Sequence, residues 1–223
     1  MFLAMDTVFD QCSIALLDAS GIVISSETQT GKRQQTQQIL PMIDAVLKNN
    51  QLKLADIQAL MFNRGPGAFS GIRINTAVVQ ALSVAHDILC VGISSLQAIA
   101  HSAYVQHGCT QVYSALDARM QQVYFGQYTL IDGIMQPIDT DTEQLLDYDS
   151  QTPLNLAIAG NGAGLLTLRD AQVTYQDITP DAVIIGQLGI AQFKATGGTD
   201  AALALPKYLR NQAWKTLKEQ GKA

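Results

Sequence analysis

Apolar positions come first in short blocks and then fall into a helical period. Residues 2–6 and 12–17 are apolar runs on either side of a polar turn. Asp18-Ala19-Ser20-Gly21 then leads into a third run, 22–28, which predicts an antiparallel three-strand start. From 34 to 50 the period becomes helical, with Ile39, Leu40, Ile43, Val46 and Leu47 on one face and Pro41 as a kink. A fourth strand is predicted at 59–62, a helix up to His86, and a fifth strand at 88–93. Ser94-x-x-Gln97 reads as a capping box for a helix running towards Tyr104.

The second half opens in the same way. Residues 112–116 and 123–130 read as strands around Asp117-Ala118-Arg119-Met120, with a third at 135–138. Asp141-x-x-Gln144 predicts the cap of a short helix, 154–159 a strand, Gly160 to Gly164 a turn and 165–169 a helical piece. Thr179-Pro180 supplies an N-cap and a first-turn proline for a helix ending at Gly197-Gly198. The recurring βββα order implies a duplicated α/β fold, with lobes at 1–104 and 105–205 and a basic segment, 206–223, packing back on the first lobe. By fold analogy this is the actin-like ATPase and sugar-kinase plan, and the analogy does not fix function.

Between the fourth strand and its helix lies Asn63-Arg64-Gly65-Pro66-Gly67-Ala68-Phe69-Ser70-Gly71-Ile72-Arg73. Gly65, Gly67 and Gly71 allow positive φ and close backbone approach, and Ser70 is placed as an N-cap. Such a loop fits either an anion at the helix N-terminus, with Arg73 adding charge, or a tight strand-to-helix crossover without a ligand. It matches neither the P-loop nor the dinucleotide fingerprint.

The helix after that loop is wider in its apolar face than one core contact requires. At 100° per residue, Ile72, Ile74, Ala77, Val78, Val79, Ala81, Leu82, Val84 and Ala85 cover roughly 240°, against the ~100° stripe of an ordinary surface helix. Ala77, Ala81 and Ala85, four residues apart, would let another backbone approach. Met42 and Ala45 widen the earlier helix similarly. A helix of this kind is either central to a domain or covered on a second side by another chain.

Composition narrows the chemistry. With 223 residues, 48% hydrophobic and 15% charged, the chain can bury a sizeable core, and its net charge of −5 argues against a protein basic all over. Cys12, Cys90 and Cys109 form neither a disulfide framework nor a zinc knuckle and suit a reducing cytosol. No stretch approaches a membrane span. His86, His101 and His107 show no metal-ligand spacing, and His86 reads as complementing a helix C-terminus. Asp6 and Asp117, each in a strand-turn-strand opening, are the carboxylates placed for Mg²⁺ or a general base, but they read better as structural turn aspartates, since Thr7-Val8-Phe9-Asp10 would make a poor phosphate cradle. The Gly160 to Gly164 cluster would serve a tight turn or cover an adenosine. No covalent nucleophile is signalled. Lys207, Arg210, Lys215, Lys218 and Lys222 against Glu219 give the end of the chain a local +4, with Trp214 and Leu217 as anchors; it reads as a docked helix or as a contact for RNA or an acidic partner.

With these segments in hand, the sequence resembles the bacterial TsaB family, formerly YeaZ. The carrying residues are Leu3-Ala4-Met5-Asp6-Thr7 with Cys12-Ser13-Ile14-Ala15-Leu16, Gln37-Gln38-Ile39-Leu40-Pro41-Met42-Ile43, and the block from Arg64 to Arg73. Leu116-Asp117-Ala118-Arg119-Met120 with Val123-Tyr124, and Pro206-Lys207-Tyr208-Leu209-Arg210-Asn211, extend it almost to both ends. Ala68, Ser70, Val8 and Phe9 depart from the family pattern. The resemblance implies a duplicated actin-like, ribonuclease H-like fold and a cytoplasmic, non-catalytic scaffold. Such a chain pairs with its paralogue TsaD, and with the ATPase TsaE, in making threonylcarbamoyladenosine beside the anticodon of tRNAs that read codons beginning with A. It further implies a homodimer without TsaD, only indirect contact with tRNA, and no catalytic, metal or cofactor site, with nucleotide at the shared interface left open. The two over-apolar helices would form the TsaD contact, so the expected interface is Ile39, Pro41, Met42, Ala45, Ile74, Ala77, Val78, Ala81 and Ala85, with Gly65, Gly67, Gly71 and Arg73 as a structural loop. The competing readings are an actin-like ATPase or small-molecule kinase and, further off, a metallopeptidase.

Overall fold

The computed structural model describes residues 1–31, 34–140, 142–150, 154–168 and 172–210. The first lobe comprises β1 (Phe2–Asp6), β2 (Gln11–Leu17), β3 (Val23–Thr30), α1 (Gln35–Asn49), β4 (Ala59–Gly65), α2 (Phe69–His86), β5 (Leu89–Ser94) and α3 (Ser95–His107). The second half of the chain supplies β6 (Gln111–Asp117), β7 (Gln122–Ile131), β8 (Ile134–Pro137), β9 (Gln144–Asp147), β10 (Ile158–Ala159) and β11 (Thr174–Tyr175), followed by α4 (Ala182–Thr196), which packs back on the first sheet.

The first sheet runs β3-β2-β1-β4-β5, with β2 antiparallel to both neighbours and β1, β4 and β5 parallel. The second runs β8-β7-β6-β10-β11 with the same senses, β9 being added on β7. One topology therefore occurs twice, which is the duplication implied by the order of elements.

β1 is buried on both faces, which is why Phe2 to Met5 is apolar without alternation. Leu3 and Met5 face the core beneath α1 and α2, with Leu60, Phe62 and Val79; Phe2 and Ala4 face α4, with Ala59, Met61 and Ile185. α3 packs on the second sheet through Leu96, Ile99 and Ala103 against Val112, Tyr128 and Met135. Among the described residues, no helix is long and apolar enough to cross a membrane.

The structure corrects several local expectations. α2 begins at Phe69 after Ala68, without a side-chain cap, so Ser70 lies inside the first turn. Ser94 caps α3 through Leu96 N, but Gln97 donates to Met135 O at 2.9 Å, across the lobes, and leaves the capping box half made. The helix expected near Gln144 is β9. β7 has ten residues, β8 pairs only its Tyr128–Ile131 end, and β9 takes up the edge left at Gln122–Phe125. The N-cap of α4 is Asp181, whose carboxylate accepts from Val183 N and Ile184 N, rather than Thr179. Only Ile158–Ala159 of the expected 154–159 strand pairs, and the helical piece is a single turn at Ala163–Leu165.

Candidate functional site

α2 has two unlike long faces. Towards the sheet it presents Ile72, Asn75, Thr76, Val79 and Ser83, a buried face rich in polar side chains. Asn75 Nδ2 donates to Asn63 O at 2.9 Å and Met5 O at 3.2 Å, and Ser83 Oγ to Ile88 O at 2.6 Å, so these groups satisfy backbone carbonyls at strand ends. Away from the sheet it exposes Ala77, Ala81, Val84 and Ala85, with Val84 76% accessible and Ile74, Val78 and Leu82 half-buried beside them. The helix thus carries buried polar side chains among Ile72 and Val79 on its inner side and exposed apolar ones on its outer side, a wider apolar surface than the stripe of an ordinary surface helix.

On α1 the expected residues divide. Ile39 and Met42 are 1% and 3% exposed and belong to the core with Ile43, Val46 and Leu47. This corrects their assignment to a surface, because the inner face of α1 closes the first sheet. Pro41 is exposed, Ala45 is half-buried, and Leu40, assigned from its periodicity to the inner face, is 53% exposed. The exposed apolar surface is thus Leu40 and Pro41 on α1 with Ala77, Ala81, Val84 and Ala85 on α2, bordered by the half-buried Ala45 and by Ile74 and Val78, which also pack on the core.

The glycine loop grips its own chain. A Cβ on Gly71 would overlap the Thr7 carbonyl, and one on Gly67 would overlap Val8 Cγ1. A Cβ on Gly65, which has φ +93, would come within 2.7 Å of Ile72 Cδ1. Thr7 Oγ1 donates to Gly71 O at 2.7 Å, Asp6 Oδ1 accepts from Val8 N at 2.8 Å, and Val8 is buried. Thr7 and Val8 of the β1–β2 turn are therefore packed against the start of α2, while Phe9 is half-buried and Asp10 exposed beside it. Burial pushes the Asp6 carboxyl up to about 7. The second-lobe glycine cluster behaves alike: Cβ atoms on Gly160 or Gly162 would run into the backbone of Ala115 and Leu116, and Asn161 Oδ1 accepts from Asp117 N at 2.9 Å.

A cleft of about 590 Å³ separates these turns, walled by Val8, Phe9, Ala68, Phe69, Met120 and Arg210 among others. Segment 206–210 crosses beside it and touches both lobes. Lys207 N donates to Arg64 O at 2.8 Å, Lys207 Nζ pairs with Glu143 at 2.8 Å, and Arg73 Nε donates to Tyr208 OH at 3.2 Å. Arg73 also lies 3.6 Å over the Phe69 ring. Residues 211–223, with Lys215, Lys218, Lys222, Trp214 and Leu217, lie outside the described residues. Among the described residues, no three His, Cys, Asp or Glu side chains converge as a metal site. Cys12 and Cys90 are buried free thiols; Cys109 is half-buried.

A family model described as TsaD, tRNA N6-adenosine threonylcarbamoyltransferase, matches residues 22–219. The tRNA threonylcarbamoyladenosine biosynthesis protein TsaB of Escherichia coli K12 is 33% identical over 235 residues, covering 96% of this chain and 97% of that protein. The Haemophilus influenzae protein of the same name is 32% identical, with 96% of each chain covered. Among solved structures, YeaZ from Pseudomonas aeruginosa superposes with a TM-score of 0.84 at 33% identity, covering 93% of this chain and 99% of that one. The architecture is the duplicated actin-like fold.

Proposed function

Because the chain belongs to the TsaB family, we propose that it acts in tRNA threonylcarbamoyladenosine biosynthesis as a non-catalytic scaffold that binds and activates TsaD. In this reading TsaD carries out threonylcarbamoyl transfer to the adenosine beside the anticodon of tRNAs that read codons beginning with A. TsaE joins the assembly, and tRNA meets this chain only through its partners. Without TsaD, a second copy covers the same face.

The observation that carries the proposal is the α2 helix, with buried polar side chains at Asn75, Thr76 and Ser83 and exposed apolar ones at Ala77, Ala81, Val84 and Ala85. Folding of this chain alone does not require that outer face to be apolar, whereas burial against a second helical surface does. Small side chains there let backbones pack closely. The buried Thr7-Val8 pair supports a role without nucleotide chemistry of its own, because Thr7 Oγ1 and Val8 N already have partners. No observation favours the kinase or metallopeptidase readings.

The test is threonylcarbamoyladenosine formed on a substrate tRNA by purified TsaD, TsaE and the enzyme that makes threonylcarbamoyl-AMP, with and without this chain. Product is expected to depend on it. Ala81→Arg or Val78→Glu is expected to weaken TsaD binding by roughly thirtyfold or more while the chain stays folded. Unchanged product without the chain, or wild-type binding by both variants, overturns the proposal.

A further inference from the structure

The turn that closes the β6–β7 hairpin is held in a costly conformation, with Ala118 N donating to Gln122 O at 2.9 Å and Gln122 N to Arg119 O at 3.1 Å. Arg119, Met120 and Gln121 have φ of 60°, 55° and 60°, three consecutive non-glycine residues in the left-handed region. Two groups hold them there. Asp117 Oδ1 accepts from Arg119 N at 2.7 Å, and Arg210 reaches across from segment 206–210. Arg210 Nη2 donates to Ala118 O at 3.2 Å and Gln122 Oε1 at 2.8 Å, and Nη1 donates to Met120 Sδ at 2.8 Å. The result is a methionine pinned in place yet 69% exposed at the mouth of the inter-lobe cleft. Phe69 and Tyr208, 53% and 45% exposed and 6.1 Å apart between ring centroids, lie at the N-terminal end of the outer surface of α2.

We propose that Met120, Phe69 and Tyr208 form a second contact for the protein that covers α1 and α2, taking an apolar side chain from it at the cleft mouth. The inference rests on the proposed function and extends its interface onto the second lobe. Charge decides between a protein segment and an RNA strand. Arg119 is paired with Asp117 at 2.8 Å, Arg210 is engaged by the turn, and Arg73 covers Phe69. Among the described residues, the cations around the cleft mouth therefore already have partners within the chain, and beside the exposed Arg119 and Asp10 the surface offers two aromatic rings and a thioether. Arg210 acts as a positioning residue for Met120.

Binding of TsaD to the full chain, measured by calorimetry with Met120→Ser, Arg210→Met, the double variant and Ala81→Arg, tests this. Met120→Ser is expected to raise Kd about tenfold without changing Tm, and Arg210→Met by a similar factor. In the Met120→Ser background Arg210→Met should add little, since its role is to hold that side chain. If Ala81→Arg abolishes binding while Met120→Ser binds as wild type, this contact is wrong and the scaffold reading stands. If Ala81→Arg also binds as wild type, both fall. If Met120→Ser spares TsaD but weakens retention of tRNA, the surface is an RNA contact and the proposal is overturned.

Discussion

The two lobes share one strand order and differ in what connects it. In the first, the β3 to β4 and β4 to β5 crossovers are α1, of fifteen residues, and α2, of eighteen. In the second, the equivalent β8 to β10 connection contains the strand β9, and the β10 to β11 connection has a single turn at Ala163–Leu165. The hairpin turns differ as well: Thr7 and Val8 are buried beneath α2, whereas Met120 projects into solvent. Among the described residues, the first copy of the fold thus joins a buried hairpin turn to two helical crossovers, while the second joins an exposed turn to short connections.

The sharpest way to break this comparison is through the glycines. Gly71 meets the Thr7 backbone, which cannot swing aside, so Gly71→Ala is expected to destabilise the chain by about 5 kcal/mol, near the upper limit for a point substitution. In the second lobe, a Cβ on Gly164 would come within 2.7 Å of Gln176 Oε1, the far end of a flexible side chain. Gly164→Ala is expected to cost less than about 1 kcal/mol. Thermal unfolding of both variants checks this. A mild Gly71→Ala would mean that the first-lobe turn is not locked by α2.

That lock was only half legible in the sequence. Three glycines within seven residues announced close approach, but nothing in the spacing said whether the neighbour was a ligand or the chain's own Thr7, because that contact joins residues 64 positions apart. In the first lobe the helices are readable from their period and β1 and β2 from short apolar runs bounded by turns. β9 was missed because Gln144 to Asp147 pairs along an edge that exists only once β7 outruns β8. Leu40 was misplaced for a related reason. It lies 100° from Ile39 around the helix, at the margin of the inner stripe, and only the packing of α1 shows which side of that margin reaches solvent. Of the proposed partner surface, Ala77, Ala81 and Ala85 are legible from spacing alone, whereas Met120 requires the left-handed turn to be seen.

The next largest effect concerns Asp6, buried where the first-lobe turn closes. Its carboxyl is pushed by burial from 3.8 to about 7. The unfolded chain releases this proton near pH 4 and the folded chain near pH 7, so across that window the folded state holds more protons and stability falls as pH rises. The loss is on the order of 4 kcal/mol, complete above pH 7. Asp6→Asn is expected to flatten the decline and to be more stable than wild type at pH 8. Parallel urea melts from pH 4 to pH 8 decide the matter, and identical slopes for the two proteins would show that Asp6 is solvated and the turn open.

The smallest expected effect tests whether the lobes are fixed to one another. Glu143 of the second lobe is the junction: Oε1 accepts from Tyr128 OH at 2.6 Å and from Ser94 Oγ at the end of β5, while Oε2 faces Lys207 Nζ at 2.8 Å. Burial and the neighbouring Glu143 charge raise the Tyr128 hydroxyl well above its ordinary value, so it serves as a donor throughout the neutral range. Glu143→Gln keeps an acceptor for both hydroxyls and removes only the charge that holds Lys207. The expected cost is about 1–2 kcal/mol, because the ammonium is left partly buried beside a neutral amide. Glu143→Ala also strands Tyr128 OH and Ser94 Oγ and should cost roughly twice as much. If the two substitutions cost the same, the lobes are held by Lys207 alone. If Glu143→Gln is silent and Glu143→Ala is not, the hydroxyl pair carries the junction, and segment 206–210 is free to serve the Met120 turn without fixing the angle between lobes.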